Sequence, residues 1–337
     1  MIIVCKPNIT EGELQHILDR IAEMGLTPHV SRGVHRTVVG VIGEEDQVRS
    51  MPLAAIAGVD QVMPVLAPYK RASREFQPAD TIVNVGGVAI GGDHFTVIAG
   101  PCVVESEEQT LAVARAVRDA GARVLRGGAF KPRTSPYSFQ GLGEDGLKIL
   151  ARCSAETGLP IVTEVMDTRQ VAVVARYAQM LQVGARNMQN FNLLSEVGRS
   201  GMPVLLKRGS AGTVRELLMS AEYILAAGNS QVVLCERGIR TFEDSVRFTL
   251  DLSCIPTVLR ESHLPIVVDP SHAAGRWDLV PALARGAIAT GAHGVMVEVH
   301  CCPEEARCDG PQQLLPRRFA GMMESLRAIA RAVGKTM

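Results

Sequence analysis

Eight short apolar runs, separated by stretches with the spacing of amphipathic helices, dominate this 337-residue chain. The runs lie at residues 95–100, 124–128, 161–163, 180–185, 204–207, 232–236, 266–270 and 295–298. Helical spacing is clearest at Glu107–Ala120, Glu144–Thr157, Val214–Ala227, Phe242–Leu259 and Leu279–Thr290. Continuous apolar strands that alternate with helices are typical of parallel βαβ units buried on both faces. Eight such units predict an α/β fold, a (β/α)8 TIM barrel; an open doubly wound sheet is less favoured because no GxGxxG motif follows an early strand.

Polar side chains follow the predicted strands where the apolar runs end. They are Cys102, Lys131, Glu164, Arg186, Lys207, Arg237, His272 and Glu298. Catalytic groups in a (β/α)8 barrel lie at the carboxyl ends of the strands. We therefore expect these residues to share one rim, the barrel mouth.

The most basic segment is the loop Arg126–Ser135, which carries three cations just after a predicted strand. Arginine offers a planar fork to phosphate or carboxylate, lysine adds a point charge, and glycine lets the backbone approach closely. A solvated basic loop is the alternative for this segment alone. With Arg186, Lys207 and Arg237 the mouth would hold six cations, which predicts a substrate that carries phosphate and carboxylate groups.

A second set of side chains could bind one divalent metal ion. Sulfur, nitrogen and oxygen donors from different strands and loops would meet at the mouth: Cys102, His272, Glu298 and Asp309. No local spacing motif supports this interpretation, so a packed thiol, a hydrogen-bonded core histidine and solvated carboxylates are the alternatives. A metal beside a large anion site would suit phosphosugar or phosphoenol chemistry.

Composition excludes several classes of protein. Lysine plus arginine equals aspartate plus glutamate at 35 each, and aromatic residues make up 4% of the chain. A nucleic-acid or anionic-membrane surface would need a basic excess, and single-strand binding would need aromatic platforms. The apolar start is too short for a signal peptide, and no run of about 20 apolar residues could cross a bilayer, so we expect a soluble, cytoplasmic protein. The eight cysteines then indicate thiols rather than a disulfide framework.

The first 66 residues have a different pattern. Strands are predicted at Ile2–Lys6, Pro28–Arg32, Thr37–Ile42 and Val59–Leu66, and helices at Thr10–Met24 and Asp46–Ala57. The order βαββαβ predicts a small ferredoxin-like domain over residues 1–66. The charged, proline-bearing stretch 67–80 predicts a linker, and residues 81–337 the catalytic barrel. The barrel part would begin with a hairpin, Thr81–Ile90, turning at Gly86-Gly87 and plugging the bottom of the barrel.

Seven blocks of residues, in this order, strongly resemble the 3-deoxy-D-arabino-heptulosonate 7-phosphate (DAHP) synthase family. They are Ala99–Cys102, Arg126–Pro136, Gly184–Asn187, Leu206–Gly209, Cys235–Gly238, Asp269–His272 and Val297–His300. The match covers essentially the whole predicted barrel. The preceding βαββαβ unit resembles the regulatory domain of feedback-controlled members of one branch of this family.

The resemblance implies condensation of phosphoenolpyruvate with erythrose 4-phosphate and water to DAHP and phosphate, the entry step of the shikimate pathway. The sibling 3-deoxy-D-manno-octulosonate 8-phosphate synthases use the same enol donor with a five-carbon aldose phosphate, and typically carry Lys-Ala-Asn-Arg at the aldose loop. Lys131-Pro132-Arg133-Thr134 stands here instead, which favours the four-carbon acceptor. A ligand-sensing barrel without turnover is the alternative from another class of protein.

The family pattern also implies roles for individual residues. One divalent ion, Mn²⁺, Fe²⁺, Co²⁺ or Zn²⁺, would be held by Cys102, His272, Glu298 and Asp309. Phosphoenolpyruvate would be held by Ala185, Arg186, Lys207 and Arg237, with help from Arg126 and Lys131, and the aldose phosphate by Arg133 and Thr134. Lys131 could donate a proton and Glu164 could orient water, which makes them, with Cys102 and His272, the candidate catalytic residues.

Regulation is implied as well. Pathway logic makes tyrosine or phenylalanine the effector, which His29 and Ser31 could contact; surface polar residues of an edge strand are the alternative interpretation. We also expect a homotetramer. Cys301, Cys302 and Cys308 depart from the family pattern, and we interpret them as incidental. The alternative is that one of them forms a disulfide with Cys102 when the metal is absent.

Overall fold

The computed structural model describes residues 1–33, 35–42, 52–63, 68–133 and 135–337. By its internal contacts the chain divides into two compact units, Met1–Pro68 and Tyr69–Met337. The domain and linker boundaries expected above stay predictions. No helix within the described ranges is long and apolar enough to cross a membrane.

The first unit is a four-stranded antiparallel sheet with one described α-helix. Its elements are β1 (Ile2–Cys5), α1 (Glu11–Glu23), β2 (Thr27–Arg32), β3 (Thr37–Ile42) and β4 (Val59–Met63), and the strand order is β2-β3-β1-β4. Helix α1, within the predicted range Thr10–Met24, begins with a capping box: Thr10 accepts a hydrogen bond from the backbone of Glu13, whose carboxylate accepts one from the Thr10 backbone. Ile17 and Ile21 then face the sheet and form a core with Ile3.

The second predicted helix of this unit, Asp46–Ala57, falls largely outside the described residues. Its described end contains a single 3-10 turn, Leu53–Ala55, and Ile56 already has extended backbone angles. The end of the predicted strand Val59–Leu66 also lies outside the described residues, beyond Met63. The small antiparallel sheet before the barrel is nevertheless present, as the fold prediction required.

The second unit is a closed barrel of eight parallel strands, which confirms the predicted fold class. The strands are β7 (Thr96–Gly100), β8 (Val124–Arg126), β9 (Ile161–Val165), β10 (Met180–Val183), β11 (Val204–Lys207), β12 (Val232–Glu236), β13 (Ile266–Val268) and β14 (Gly294–Glu298). The described helices are α2 (Glu107–Ala120), α3 (Glu144–Thr157), α4 (Val171–Val174), α5 (Phe191–Arg199), α6 (Val214–Ala226), α7 (Cys254–Glu261), α8 (Pro270–Ala274), α9 (Val280–Ala289) and α10 (Pro316–Ala332). The ring closes where β14 pairs in parallel with β7.

Side chains alternate between two apolar layers along the strands, because successive residues of a strand point to opposite faces. Val97 and Leu125 belong to the layer between strands and helices, whereas Ile98 and Val124 belong to the layer inside the barrel. This two-sided burial explains why the strand sequences are continuously apolar.

A hairpin closes the amino-terminal end of the barrel, as predicted. Strands β5 (Val83–Val85) and β6 (Val88–Ile90) pair across a turn at Gly86 and Gly87. Both glycines have positive φ angles, 56° and 91°, which a tight two-residue hairpin turn requires. Val83, Val85, Val88 and Ile90 form one buried cluster with the inward-facing strand residues.

The predicted helix Phe242–Leu259 is wrong over most of its length. The structure has a helix only at Cys254–Glu261, and Phe248 lies in an irregular segment whose backbone bonds to Ala273. Pro256 supplies the physical reason, because proline lacks an N–H and clashes with the preceding turn. It is tolerated in the first turn of α7 but not in the middle of a longer helix.

The predicted linker, residues 67–80, runs along the barrel from Tyr69 onward. The Tyr69 hydroxyl donates to Glu261 at 2.7 Å, and the Ala72 backbone donates to Glu222 at 2.9 Å. Tyr69 and Ala72 are buried in the outer apolar layer. The part of this segment after Pro68 therefore packs against the barrel, because side chains of neighbouring helices bind its polar groups.

Burial of His293 links the stability of the barrel to pH. The residue precedes β14, is 4% exposed, and its Nδ1 accepts a hydrogen bond from the Ile266 backbone at 3.1 Å. Burial lowers the pKa of His293 to about 4. The unfolded chain, with an ordinary histidine pKa, therefore takes up this proton first as the pH falls, so stability present above about pH 6.5 is lost towards pH 4.

We expect His293→Asn to remove this dependence, because the amide oxygen keeps the hydrogen bond but does not titrate. Between pH 7.5 and 5 the wild type should lose about 2 kcal/mol more unfolding free energy than the variant. Urea unfolding at both pH values measures the difference. His16→Asn, at an exposed position of α1, is the matched control, and equal pH slopes for wild type and His293→Asn would contradict the prediction.

Candidate functional site

The carboxyl ends of the strands carry a layer of inward-facing polar side chains. Six strands each contribute one such residue at or near their carboxyl end: Arg126, Glu164, Gln182, Lys207, Asp269 and Glu298. Above this layer lies a cavity of about 410 Å³, formed with the loops that follow the strands. The predicted mouth is therefore a cavity in which most of the predicted site residues meet.

Opposite charges pair within this layer. Arg126 Nη1 lies 2.7 Å from Glu298 Oε1, and Lys207 forms an ion pair with Asp269. All four side chains are at most 5% exposed. Removing one partner of such a buried pair leaves an uncompensated charge and typically costs about 3–5 kcal/mol.

Asp269 positions His272. One Asp269 oxygen caps α8 by accepting from the His272 backbone at 2.9 Å, and the other lies 2.7 Å from His272 Nδ1. Burial opposes ionisation of Asp269, but His272 and Lys207 hold its pKa well below the usual range. Burial lowers the pKa of His272 to about 4, so its imidazole is neutral at pH 7. The contact of Nδ1 with Asp269 is the arrangement in which a carboxylate orients a metal-binding histidine, and it leaves Nε2 3.5 Å from Glu298 Oε1.

Two groups of potential metal ligands share Asp309. One contains His272, Glu298 and Asp309, the other Cys102, Cys308 and Asp309, and within each group the donor atoms lie within 4.8 Å of one another. The four predicted ligands thus gather around one carboxylate. Sulfur, nitrogen and oxygen donors of this kind fit a divalent ion such as Mn²⁺, Fe²⁺, Co²⁺ or Zn²⁺.

Lys131 contacts the same group of ligands. Its Nζ lies 3.0 Å from Cys102 Sγ and 3.3 Å from Asp309 Oδ2. Burial lowers the pKa of Lys131, but Cys102 and Glu298 outweigh it and raise the pKa above its usual range. Burial likewise opposes ionisation of Asp309, while Lys131 and His272 hold the Asp309 pKa below its usual range. The Lys131 ammonium therefore lies next to the Asp309 carboxylate in the wall of the cavity.

The cavity wall is strongly positive. Its described lining includes two carboxylates, Glu164 and Asp309, against eight cations: Arg126, Lys131, Arg133, Arg186, Lys207, Arg237, Arg240 and Arg247. The Arg237 guanidinium packs on the Phe248 ring, 4.4 Å from its centre, and burial lowers the pKa of Arg237. Such a concentration of charge favours polyanionic ligands.

Most predicted substrate residues lie at this cavity. Ala185, Arg186 and Glu164 line it, and Gln182 Nε2 donates to Glu164 at 3.1 Å. Thr134 lies outside the described residues. His29 and Ser31 belong to the other unit, where both are exposed on the edge strand β2.

Several cavity residues were missed by sequence reasoning. They are Gln182, Ser210, Arg240, Arg247 and Phe248, with Asp269 beneath them. Strict alternation along β10 and β13 would have placed Gln182 and Asp269 on the inward face. Arg247 was hidden by the wrong helix prediction, and Cys308 had no signal that separated it from Cys301 and Cys302.

Fold and mouth together define a TIM-barrel protein with an anion-binding cavity beside a set of metal-type ligands. Comparison with known protein families is more specific. The DAHP synthetase I family matches residues 73–332, and the DAHP synthase ferredoxin-like domain matches residues 1–67. The chain belongs to the DAHP synthetase I family.

Individual relatives agree with this assignment. The phospho-2-dehydro-3-deoxyheptonate aldolase of Thermotoga maritima is 49% identical over 334 residues, 99% of either chain. A crystal structure of the Thermotoga maritima enzyme, also called DAHP synthase, matches with a TM-score of 0.94 at 48% identity, covering 99% of this chain and 98% of the other. The 2-dehydro-3-deoxyphosphooctonate aldolase of Syntrophobacter fumaroxidans is more distant, at 35% identity over 75% of this chain and 93% of its own length.

Gly184 makes room for Glu164 in the mouth. A Cβ at position 184 would lie 2.0 Å from Glu164 Oε1. We expect Gly184→Ala to lower the unfolding free energy by about 1 kcal/mol, the low end of the range for overpacking, because the contacted atoms are the movable end of the Glu164 side chain. In a Glu164→Ala background the same change should cost far less, because the clashing carboxylate is gone.

Urea unfolding of the single and double variants measures this coupling. Gly321→Ala, on an α10 position with nothing within 4 Å of the added Cβ, is the control and should be neutral or slightly stabilising. An equal cost for Gly184→Ala with and without Glu164 would show that the clash lies elsewhere.

Proposed function

We propose that this chain catalyses the DAHP synthase reaction, the condensation of phosphoenolpyruvate with erythrose 4-phosphate and water to DAHP and phosphate. The observation that carries the proposal is a cavity lined by eight cations next to a cluster of sulfur, nitrogen and oxygen donors. Both substrates carry a phosphate, and phosphoenolpyruvate adds a carboxylate, so together they balance the charge of the wall. The full-length similarity to a named phospho-2-dehydro-3-deoxyheptonate aldolase supports this reaction.

Phosphoenolpyruvate is assigned to the cations at the ends of three consecutive strands, β10, β11 and β12. Its phosphate and carboxylate would bind Arg186, Lys207 and Arg237, with Ala185, Arg126 and Lys131 beside them. Two of the guanidinium groups are held in place by the protein itself. Arg186 Nη1 donates to the Pro132 carbonyl at 3.3 Å, and Arg237 packs on the Phe248 ring. Catalysis by such a site is chiefly positioning and electrostatic stabilisation.

The bond changes then follow from the substrates. The methylene carbon of the enol attacks the aldehyde carbon of the aldose, water adds at the former enol carbon, and phosphate leaves with cleavage of its carbon–oxygen bond. The Lys131 ammonium donates a proton to the aldehyde oxygen, which becomes a hydroxyl. Glu164, which accepts a hydrogen bond from Gln182, orients the water. The water loses two protons as the new carbonyl forms: one restores the Lys131 ammonium, and the other leaves with the phosphate.

A divalent metal is part of the proposal. Cys102, His272, Glu298 and Asp309 would hold it. Burial keeps His272 neutral, and the hydrogen bond from Nδ1 to Asp269 would fix the tautomer in which Nε2 faces the ligands. When bound, a divalent cation supplies Lewis acidity that polarises the aldehyde carbonyl.

The four-carbon acceptor is favoured by the loop Lys131–Thr134. Arg133 lines the cavity, and its guanidinium contacts Cys308 Sγ. We assign the aldose phosphate to Arg133 together with Thr134. The octulosonate alternative, with a five-carbon aldose phosphate, has only the more distant relatives in its support.

Arg133→Ala should weaken binding of the aldose phosphate acceptor far more than binding of phosphoenolpyruvate. One charged contact to phosphate is worth about 1.5–3 kcal/mol, so we expect KM for erythrose 4-phosphate to rise at least about tenfold and KM for phosphoenolpyruvate to change little. Steady-state kinetics with erythrose 4-phosphate and arabinose 5-phosphate measures both. Arg169→Ala, at an exposed arginine paired with Asp167, is the control. Better turnover of arabinose 5-phosphate by the wild type would overturn the proposed reaction.

Feedback regulation is assigned to the first unit. An antiparallel sheet with an exposed edge can pair with another copy of itself, and a small ligand between paired copies would bias the assembly, for which we propose a homotetramer. Tyrosine or phenylalanine is the proposed effector. His29 and Ser31 lie on the same face of β2, where they are accessible to it.

Deleting residues 1–66 should leave an active barrel that tyrosine and phenylalanine no longer inhibit. A truncated form of the Thermotoga maritima DAHP synthase has a solved structure that covers 79% of this chain, so the experiment is practicable. Inhibition curves for the full chain, the truncated chain and His29→Ala/Ser31→Ala measure the effect. Unchanged inhibition of the truncated enzyme, or a full chain that ignores both amino acids, would contradict the regulatory proposal.

A further inference from the structure

Two thiols and a carboxylate form a compact triangle at the edge of the mouth. Cys102 Sγ lies 3.6 Å from Cys308 Sγ, and each sulfur lies 3.4 Å from Asp309 Oδ2. Both cysteines are buried, with exposed fractions of 1% and 2%. The other two cysteines of the same loop stay apart from this triangle, since Cys301 is exposed and Cys302 bonds to Glu304.

The edges of this triangle match those of ligands on one metal ion. Two sulfurs bound at about 2.3 Å to a tetrahedral ion lie about 3.8 Å apart, and a sulfur and a carboxylate oxygen about 3.5 Å apart. The observed separations of 3.6 and 3.4 Å need only small adjustments to reach these values. A common point at bonding distance from all three atoms therefore exists near Asp309.

The charges around the triangle also suit bound thiolates. Lys131 Nζ contacts Cys102 Sγ, and the Arg133 guanidinium contacts Cys308 Sγ. Two thiolates and Asp309 would carry three negative charges, which a divalent ion, one lysine and one arginine more than balance. The two thiols also pack with Val103 and Phe139, but apolar packing alone would gain nothing from a shared carboxylate.

We propose that Cys308 is a second sulfur ligand of the metal held by Cys102 and Asp309, so that this centre selects thiophilic ions such as Zn²⁺ and Cd²⁺ over Mn²⁺. Thiolate ligands favour softer ions, whereas carboxylates favour Mg²⁺ and Mn²⁺. The inference rests on the metal site proposed above, and adds to it a ligand outside the family pattern. It also replaces the interpretation of Cys308 as incidental.

Metal titration of the full-length, metal-free protein under anaerobic conditions tests the proposal. With Co²⁺, the wild type should show thiolate-to-cobalt charge-transfer absorbance, and Cys308→Ser should keep about half of it, because one of two sulfurs is lost. Cys308→Ser should weaken Cd²⁺ binding at least about tenfold and Mn²⁺ binding much less. Cys301→Ser, the exposed cysteine of the same loop, should behave as the wild type.

A second measurement avoids the variant altogether. In the wild type, bound Zn²⁺ or Cd²⁺ should slow alkylation of Cys308, followed by mass spectrometry, while leaving Cys301 unaffected. Equal charge-transfer absorbance in wild type and Cys308→Ser, or unprotected Cys308 in the metal-loaded protein, would overturn the inference and leave the four-ligand site standing. A wild type that binds no divalent ion would overturn both, and the proposed function with them.

Discussion

Closure of eight parallel strands into one ring is the constraint on which the rest of the structure depends. Once the ring closes between β14 and β7, every second residue of each strand must enter the interior. The chain meets this requirement in two ways. Its lower inward positions are apolar and pack against the hairpin β5–β6, while its upper inward positions are charged or polar and lie under the cavity.

The most deeply buried charges of the interior are tolerated because they pair with opposite charges. Arg126 pairs with Glu298, Lys207 with Asp269, and Asp269 also binds His272. Burial of unpaired charges would cost far more than a domain's net stability allows. The pairing fixes orientation at the same time, so the atoms that would face a substrate are set by the network rather than by the loops above it.

Local signals predicted much of this protein from sequence. The helix near Thr10–Met24, the Gly86-Gly87 turn and the apolar strands each depend on a few neighbouring residues, and each appears as expected. Where contacts distant in sequence decide, prediction failed. Amphipathic spacing at Phe242–Leu259 could not outweigh Pro256 and the bonds from that segment to α8, and so Arg247 was missed at the cavity.

The site shows the same division. Ligand types could be predicted because strand ends share one rim, but the approach of Cys308 to Cys102 joins positions 206 residues apart. It depends on the loop after β14, where Asp309 adopts a left-handed backbone with φ of 51°. A non-glycine residue in that conformation costs of the order of 1 kcal/mol, and such strain is found where a side chain must be aimed.

The hairpin β5–β6 at the amino-terminal end of the barrel affects how ligands enter and leave the cavity. Val83, Val85, Val88 and Ile90 fill the amino-terminal end of the barrel. Among the described residues the cavity therefore opens only at the carboxyl ends of the strands, and the barrel is not a channel. Whatever enters must leave by the same route, against the inflow of the next molecules. A molecule bound in the deepest part of the cavity can therefore leave only after the molecules bound nearer the opening have left.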